Sequence, residues 1–232
     1  MGKDVIIACD FASKEACLSF LDKFTGRKPF VKIGMELFYA EGPDIVRQIK
    51  ARGHKIFLDL KLHDIPNTVM KAMASLSALD VDMCNLHAAG ARAMMEAALK
   101  GLTRPDGTRP LLIAVTQLTS TDDTALREEL YIEKPMKDVV LGYARNARDA
   151  GLDGVVCSPL EASTVKEGCG EGFFTVTPGV RFADGDVGDQ KRIATPARAK
   201  ELGSDYIVVG RPITQAEDPV AAYERCVAEF VD

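Results

Sequence analysis

KIFLDLKLHDIPNTVMKAMASLSALDVDMCNLHA (residues 55–88) decides the fold of this chain. It opens on KIFLDLKL (55–62), where Ile56, Phe57, Leu58, Leu60 and Leu62 make the near-continuous apolar run of a strand covered on both faces. After Asp64-Ile65-Pro66 the apolar residues from Asn67 to Leu79 return at helical spacing, and the stretch closes on a second short apolar run, MCNLHA (83–88). Strand, helix and strand joined so tightly form a unit that lays its two strands parallel.

The same alternation continues in both directions. Strand-like runs stand at VIIAC (5–9), FVKIGM (30–35), LLIAVTQL (111–118), GVVCS (154–158), FFTVTPG (173–179) and YIVVG (206–210), which makes eight with the two above. Helical patterns fill Lys14–Phe24, Pro43–Ala51, Asn67–Leu79, Ala91–Leu99, Met136–Asp149, Leu160–Glu167, Pro196–Glu201 and Pro219–Phe230. Ser13, Thr195 and Asp218 suit helix N-caps, Pro196 and Pro219 suit first turns, and Gly53, Gly151 and Gly203 suit helix exits. Eight uninterrupted strand-helix units predict an α/β chain closed as a (β/α)8 TIM barrel, a single domain over residues 1–232.

Composition narrows the classes of function. Of 232 residues 47% are hydrophobic and 27% charged, so a large core needs neither disulfide nor structural metal. A net charge of −5 without blocks of like sign argues against a nucleic-acid or membrane-binding surface, but leaves room for a local pocket for a small anion. The six cysteines are scattered without a C-x-x-C pair, as reduced thiols of a cytoplasmic protein are. No apolar run reaches membrane-spanning length, and no G-x-G-x-x-G follows the first strand to favour a dinucleotide.

A barrel of this type carries its chemistry at the carboxyl ends of its strands. Those ends hold Asp10, Lys32, Asp59, Lys61, Asp64, Arg181 and Arg211. Strand alternation puts Asp59 and Lys61 on one face, toward the barrel mouth, and Leu60 and Leu62 toward the helices. A surface ion pair is the plain alternative, but it sits poorly in a strand so apolar. A lysine between carboxylates is kept in its charged form and is suited to donate a proton, and Lys32 adds a second ammonium.

The segment DLKLHDIPNT (59–68) resembles the signature of the orotidine 5′-phosphate decarboxylases. The resemblance runs along the chain in order: Asp10 in ACDFAS, Lys32 in VKIG, Thr119 in VTQLTS, TPGVR ending at Arg181, Gln190 in GDQKR, and Gly210 and Arg211 in VVGRPIT. It implies conversion of orotidine 5′-monophosphate to UMP and carbon dioxide by a homodimer with shared sites, without metal or organic cofactor. By that resemblance Lys61 protonates C6, and Asp59, Asp64 and Lys32 complete a charged array, with Asp64 and Thr68 lent to the neighbouring subunit. Asp10 and Lys32 hold the ribose, Thr119 and Ser120 lie near the pyrimidine edge, and Arg181, Gln190, Gly210 and Arg211 take the phosphate. Loops after strands seven and eight are a common phosphate site in these barrels, and here each carries an arginine. The segment 181–192 is expected to close over the ligand.

The main rival is a magnesium-dependent sugar-phosphate enzyme of the same superfamily, such as 3-keto-L-gulonate 6-phosphate decarboxylase or hexulose phosphate synthase, which shares a D-x-K-x-x-D array. LHDIPNT after Lys61, with TPGVR and the GDQ loop, favours the orotidylate enzymes. A noncatalytic nucleotide-binding protein fits poorly with the retained Lys61. His54, His63 and His87 show no metal-ligand spacing and read as structural, as Met94 and Met95 read as helix packing.

Overall fold

The computed structural model describes residues 3–183 and 194–232. Eight parallel strands close into a barrel in sequence order, each bonded to the next and β8 to β1. They are β1 (Asp4–Ala8), β2 (Phe30–Gly34), β3 (Ile56–Leu62), β4 (Met83–His87), β5 (Leu111–Val115), β6 (Gly154–Val156), β7 (Phe174–Thr177) and β8 (Tyr206–Val209). Seven fall within the runs expected for them, and β1 begins one residue ahead of its run, at Asp4.

The described helices are α1 (Lys14–Leu21), α2 (Met35–Glu41), α3 (Pro43–Ala51), α4 (Pro66–Ser77), α5 (Ala91–Leu102), α6 (Asp123–Glu128), α7 (Met136–Asp149), α8 (Ala162–Cys169), α9 (Pro196–Glu201), α10 (Arg211–Thr214) and α11 (Pro219–Phe230). Ser13, Thr195 and Asp218 accept backbone N–H groups at the starts of α1, α9 and α11, as their side chains led one to expect. Gly53, Gly151 and Gly203 leave α3, α7 and α9 with φ of +85°, +87° and +88°. Helices α2, α6 and α10 went unforeseen, because each buries just one side chain and so has no apolar period to read.

Two apolar layers result. The larger lies between strands and helices, with Leu58, Leu60, Val69, Met73, Leu86, Met94 and Met95 among its buried members. The smaller fills the barrel interior with Ile6, Phe30, Phe57, Met83, Ile113, Val176, Tyr206 and Val208. Two glycines set close approaches. A Cβ on Gly101 of α5 would lie 2.0 Å from the Met70 carbonyl oxygen of α4, and one on Gly154 of β6 would lie 2.3 Å from the Phe174 carbonyl oxygen of β7. No described helix is long and apolar enough to cross a membrane.

The floor of the barrel, opposite the expected site, carries one device three times. Asp82, Asp153 and Asp205 each stand just before an even strand, β4, β6 or β8, and each carboxylate accepts from the backbone of the preceding odd strand. The bonds are Ile56 N–H to Asp82 at 2.8 Å, Leu112 N–H to Asp153 at 2.7 Å and Thr175 N–H to Asp205 at 2.8 Å. Each acid also meets a cation that precedes the odd strand: Lys50 at 2.9 Å, Arg109 with its second nitrogen at 2.9 Å, and Lys166 at 2.7 Å. Asp153→Ala strands both the Leu112 N–H and the half-buried Arg109 guanidinium. A loss of about 2–4 kcal/mol is expected, seen as a Tm lower by roughly 5–10 °C in thermal denaturation. Any activity at the expected site should stay unchanged per folded molecule, since that site is at the opposite end of the barrel.

Candidate active site

At the mouth, three neighbouring strands deliver four charges in a row of alternating sign. Lys32 Nζ donates to Asp10 Oδ1 at 3.0 Å and lies 3.4 Å from Asp59 Oδ2. Lys61 Nζ donates to Asp59 Oδ1 at 2.7 Å. Gly34, at the end of β2, keeps the backbone clear of this row, because a Cβ there would stand 3.2 Å from both Asp10 Oδ1 and Lys32 Nζ. Lys32 and Asp59 are largely buried, with side chains 12% and 10% exposed, whereas Asp10 reaches solvent.

The row holds its charges against burial. Desolvation pulls the Lys32 ammonium toward neutrality, yet Asp59 and Asp10 outweigh it and raise its pKa above the ordinary lysine value. Asp59 is the mirror case: burial favours its neutral form, and Lys32, Lys61 and the hydrogen bonds from Lys61 and Asn85 hold its pKa below the usual carboxylate range. Removing one member of such a row leaves an uncompensated buried charge.

Asp59 and Lys61 both line the cavity while Leu58 and Leu60 face the helices, as strand alternation has it, yet the pairing of β3 with β4 is irregular here. β3 pairs with β4 as Phe57 with Met83 and Leu58 with Cys84, and then resumes only at Leu62 with Leu86, so four steps on β3 face two on β4. The surplus is a bulge. Within it Lys61 takes φ of +51°, a left-handed conformation uncommon for a residue with a side chain. Opposite the bulge lies Asn85 on β4, 1% exposed. Its Oδ1 accepts the Lys61 N–H at 2.8 Å and its Nδ2 donates to Asp59 Oδ1 at 2.7 Å.

Two cavities adjoin the row. One of about 300 Å³ is lined by Lys32, Asp59, Lys61, Asn85, Thr119 and Ser120, among others, with Val115, Val156, Pro178 and Val208 as apolar wall. The other, of about 390 Å³, is lined by Asp10, Lys32, Arg181, Gly210, Arg211 and Gln215, among others. They share Lys32, Pro178 and Val208 and so meet side by side. Thus Asp10, Lys32, Asp59, Lys61, Thr119, Ser120, Arg181, Gly210 and Arg211 all come together. Asp64 and Thr68 do not join the row of their own chain: both are exposed, and Asp64 Oδ1 accepts from the Ile65 N–H at 2.6 Å. Gln190 and 184–192 of the expected closing segment lie outside the described residues.

Asn85 and Gln117 line the first cavity without having been foreseen. Asn85 shares the inward parity of Met83 and His87, and an asparagine inside a strand was the available signal. His87, beside His63 with ring centres 5.8 Å apart, has its pKa lowered by burial and then by His63 and Lys61. His54 sits far from the row, its Nδ1 2.9 Å from the Pro29 carbonyl oxygen.

Comparison with known proteins gives the chain a family. Orotidine 5′-phosphate decarboxylases of Bacillus cytotoxicus and Bacillus cereus strain Q1 are each 57% identical over 227 residues, covering 97% of this chain and 95% of theirs. The crystal structure of orotidine 5′-phosphate decarboxylase from Lactobacillus acidophilus superimposes with a TM-score of 0.88 at 44% identity, covering 99% of this chain and 100% of that one. An uncharacterized conserved protein from Geobacillus kaustophilus does so with a TM-score of 0.87 at 50% identity, over 97% of this chain and 99% of that one. With a family model matching residues 3–226 as well, the chain belongs to the orotidine 5′-phosphate decarboxylase / HUMPS family.

Proposed function

We propose that this chain decarboxylates orotidine 5′-monophosphate to UMP and carbon dioxide in pyrimidine nucleotide synthesis, with Lys61 as the proton donor to C6. The observation that carries the reading is the alternating row Asp10, Lys32, Asp59, Lys61, opening on one cavity and adjoined by a second that holds Arg181 and Arg211. In the reaction the C6–carboxyl bond breaks and its electron pair stays on C6, which the pyrimidine ring does not delocalise. A fixed ammonium beside C6 stabilises that pair and then gives it a proton, and the neutral amine regains one from water. Thr119 and Ser120 meet the pyrimidine edge, Asp10 and Lys32 the ribose hydroxyls, and Arg181, Gln190 and the backbone at Gly210 and Arg211 the phosphate. Binding energy from the phosphate, remote from C6, is available to orient the ring.

The whole chain, 1–232, acts in this reading as one catalytic barrel, in a homodimer where Asp64 and Thr68 serve the neighbour's site. The exposed Met35, Tyr39 and Ile65 support a partner at this end, since they follow the adjacent strands β2 and β3 at the mouth. The six free thiols suit the cytoplasm.

The sugar-phosphate members of the superfamily are the second reading, and metal dependence separates the two. Both oxygens of Asp59 are already engaged, Oδ1 by Lys61 and Asn85 and Oδ2 by Lys32, which supports a site where ammonium groups take the electrophilic role. Loss of orotidylate absorbance by purified protein is therefore expected to continue at full rate in excess chelator. Activity that vanishes on chelation and returns with magnesium would move the assignment to the sugar-phosphate side.

A further inference from the structure

We propose that Asn85 is a positioning residue for this reaction: its carboxamide holds the bulge of β3 in the one conformation that turns the Lys61 ammonium and the Asp59 carboxylate together into the cavity. The inference rests on the decarboxylase reading above. It starts from a deficit in the ladder. Between the Leu58–Cys84 and Leu62–Leu86 pairs the two backbones are out of step, so the Lys61 N–H faces no strand carbonyl and takes the Asn85 side chain instead, at 2.8 Å. A buried N–H without that partner is costly, and Lys61 is already in the left-handed region at φ +51°. The amide orientation is fixed by chemistry, because the end facing an N–H must accept and the end facing a carboxylate must donate. Asn85 thus reads both neighbours at once: the backbone of the proton donor and the carboxylate that orients its ammonium.

Size alone does not explain the residue. Leucine has nearly the same shape but would leave the Lys61 N–H unpaired and remove a donor from Asp59. An ionised aspartate would accept from the N–H while facing Asp59 with like charge. A protonated aspartate, however, accepts through its carbonyl and donates through its hydroxyl, and so reproduces both bonds.

This difference supplies the test. In Asn85→Ala, kcat is expected to fall about 100-fold, the scale of a displacement near 1 Å at the reacting groups, with KM for orotidylate within about threefold of the parent. In Asn85→Asp the introduced carboxyl faces Asp59 and Lys61 on β3, Lys32 on β2, Asp10 after β1 and His87 on its own strand, and Asp59 together with burial favours its neutral form. Its kcat relative to the parent should therefore be highest at about pH 6 and fall at least tenfold by about pH 9. A purely space-filling role does not generate that profile. Hydrogen exchange at the Lys61 amide, slow in the parent, should become fast in Asn85→Ala; this reading needs no turnover, so it tells a failure of the Asn85 role from a failure of the decarboxylase assignment. A kcat within threefold of the parent for Asn85→Ala, a flat pH ratio for Asn85→Asp, or unchanged exchange at Lys61 each overturns the proposal.

Discussion

Lys61→Ala is expected to lower kcat by a factor on the order of 10⁴–10⁶, because in the proposed mechanism it removes the proton donor and the charge beside C6 in one step. The fold should survive. The Lys61 side chain is a quarter exposed, and Asp59 keeps Lys32 at 3.4 Å and Asn85 at 2.7 Å as partners. Alanine also inherits the left-handed backbone without a bulkier clash, and the Asn85 bond is to the backbone N–H, which remains. Binding of UMP should change far less than turnover, since Arg181 and Arg211 are untouched in the second cavity. Orotidylate absorbance, circular dichroism and UMP titration together check this. A folded Lys61→Ala protein turning over within tenfold of the parent would remove Lys61 from its role.

Two inactive chains are expected to make an active mixture. Asp64→Asn keeps the oxygen that accepts the Ile65 N–H, so it alters charge and leaves the local turn intact. Paired with Lys61→Ala in an isologous dimer, it gives a mixed species with one site carrying both defects and one carrying neither. Random exchange of equal amounts puts half the dimers in mixed form with half their sites intact, so roughly a quarter of the parental activity returns. The exposure of Asp64, whose Oδ1 accepts from the Ile65 N–H, motivates the experiment. If native mass spectrometry shows exchange and activity stays at the level of the single variants, Asp64 serves its own subunit.

The barrel was legible because its strands are short, β-branched and separated by periodic helices with capping residues in place. Ser13, Thr195 and Asp218 each act through a local contact within three residues, which sequence spacing encodes directly. The row of charges was legible for a related reason: Asp10 follows β1, and Lys32, Asp59 and Lys61 are charges within the apolar strands β2 and β3, which barrel topology sets side by side. Alternation told the face on which Lys61 lies, but not its left-handed backbone or the partner that holds it. A bulge depends on the partner strand, so its signal was divided between Lys61 and Asn85, 24 residues apart. The same holds for the floor, where Asp153 and Leu112 are 41 residues apart and neither is unusual alone. Helices α2, α6 and α10 escaped because too little of each is buried to set a period.

The three clasps of the floor also state what the barrel's unit of symmetry is. They recur at β3/β4, β5/β6 and β7/β8, always with the cation before the odd strand and the acid before the even one. The repeat therefore comprises two strand-helix units, in phase with the interior, where side chains of alternate strands form successive layers. Each clasp closes within its own pair of strands, so a unit inserted within a pair would part an acid from its cation and its backbone partner, whereas one inserted between β4 and β5 or between β6 and β7 would leave all three clasps intact. The seams of this barrel therefore lie between its pairs of strands, after β4 and after β6.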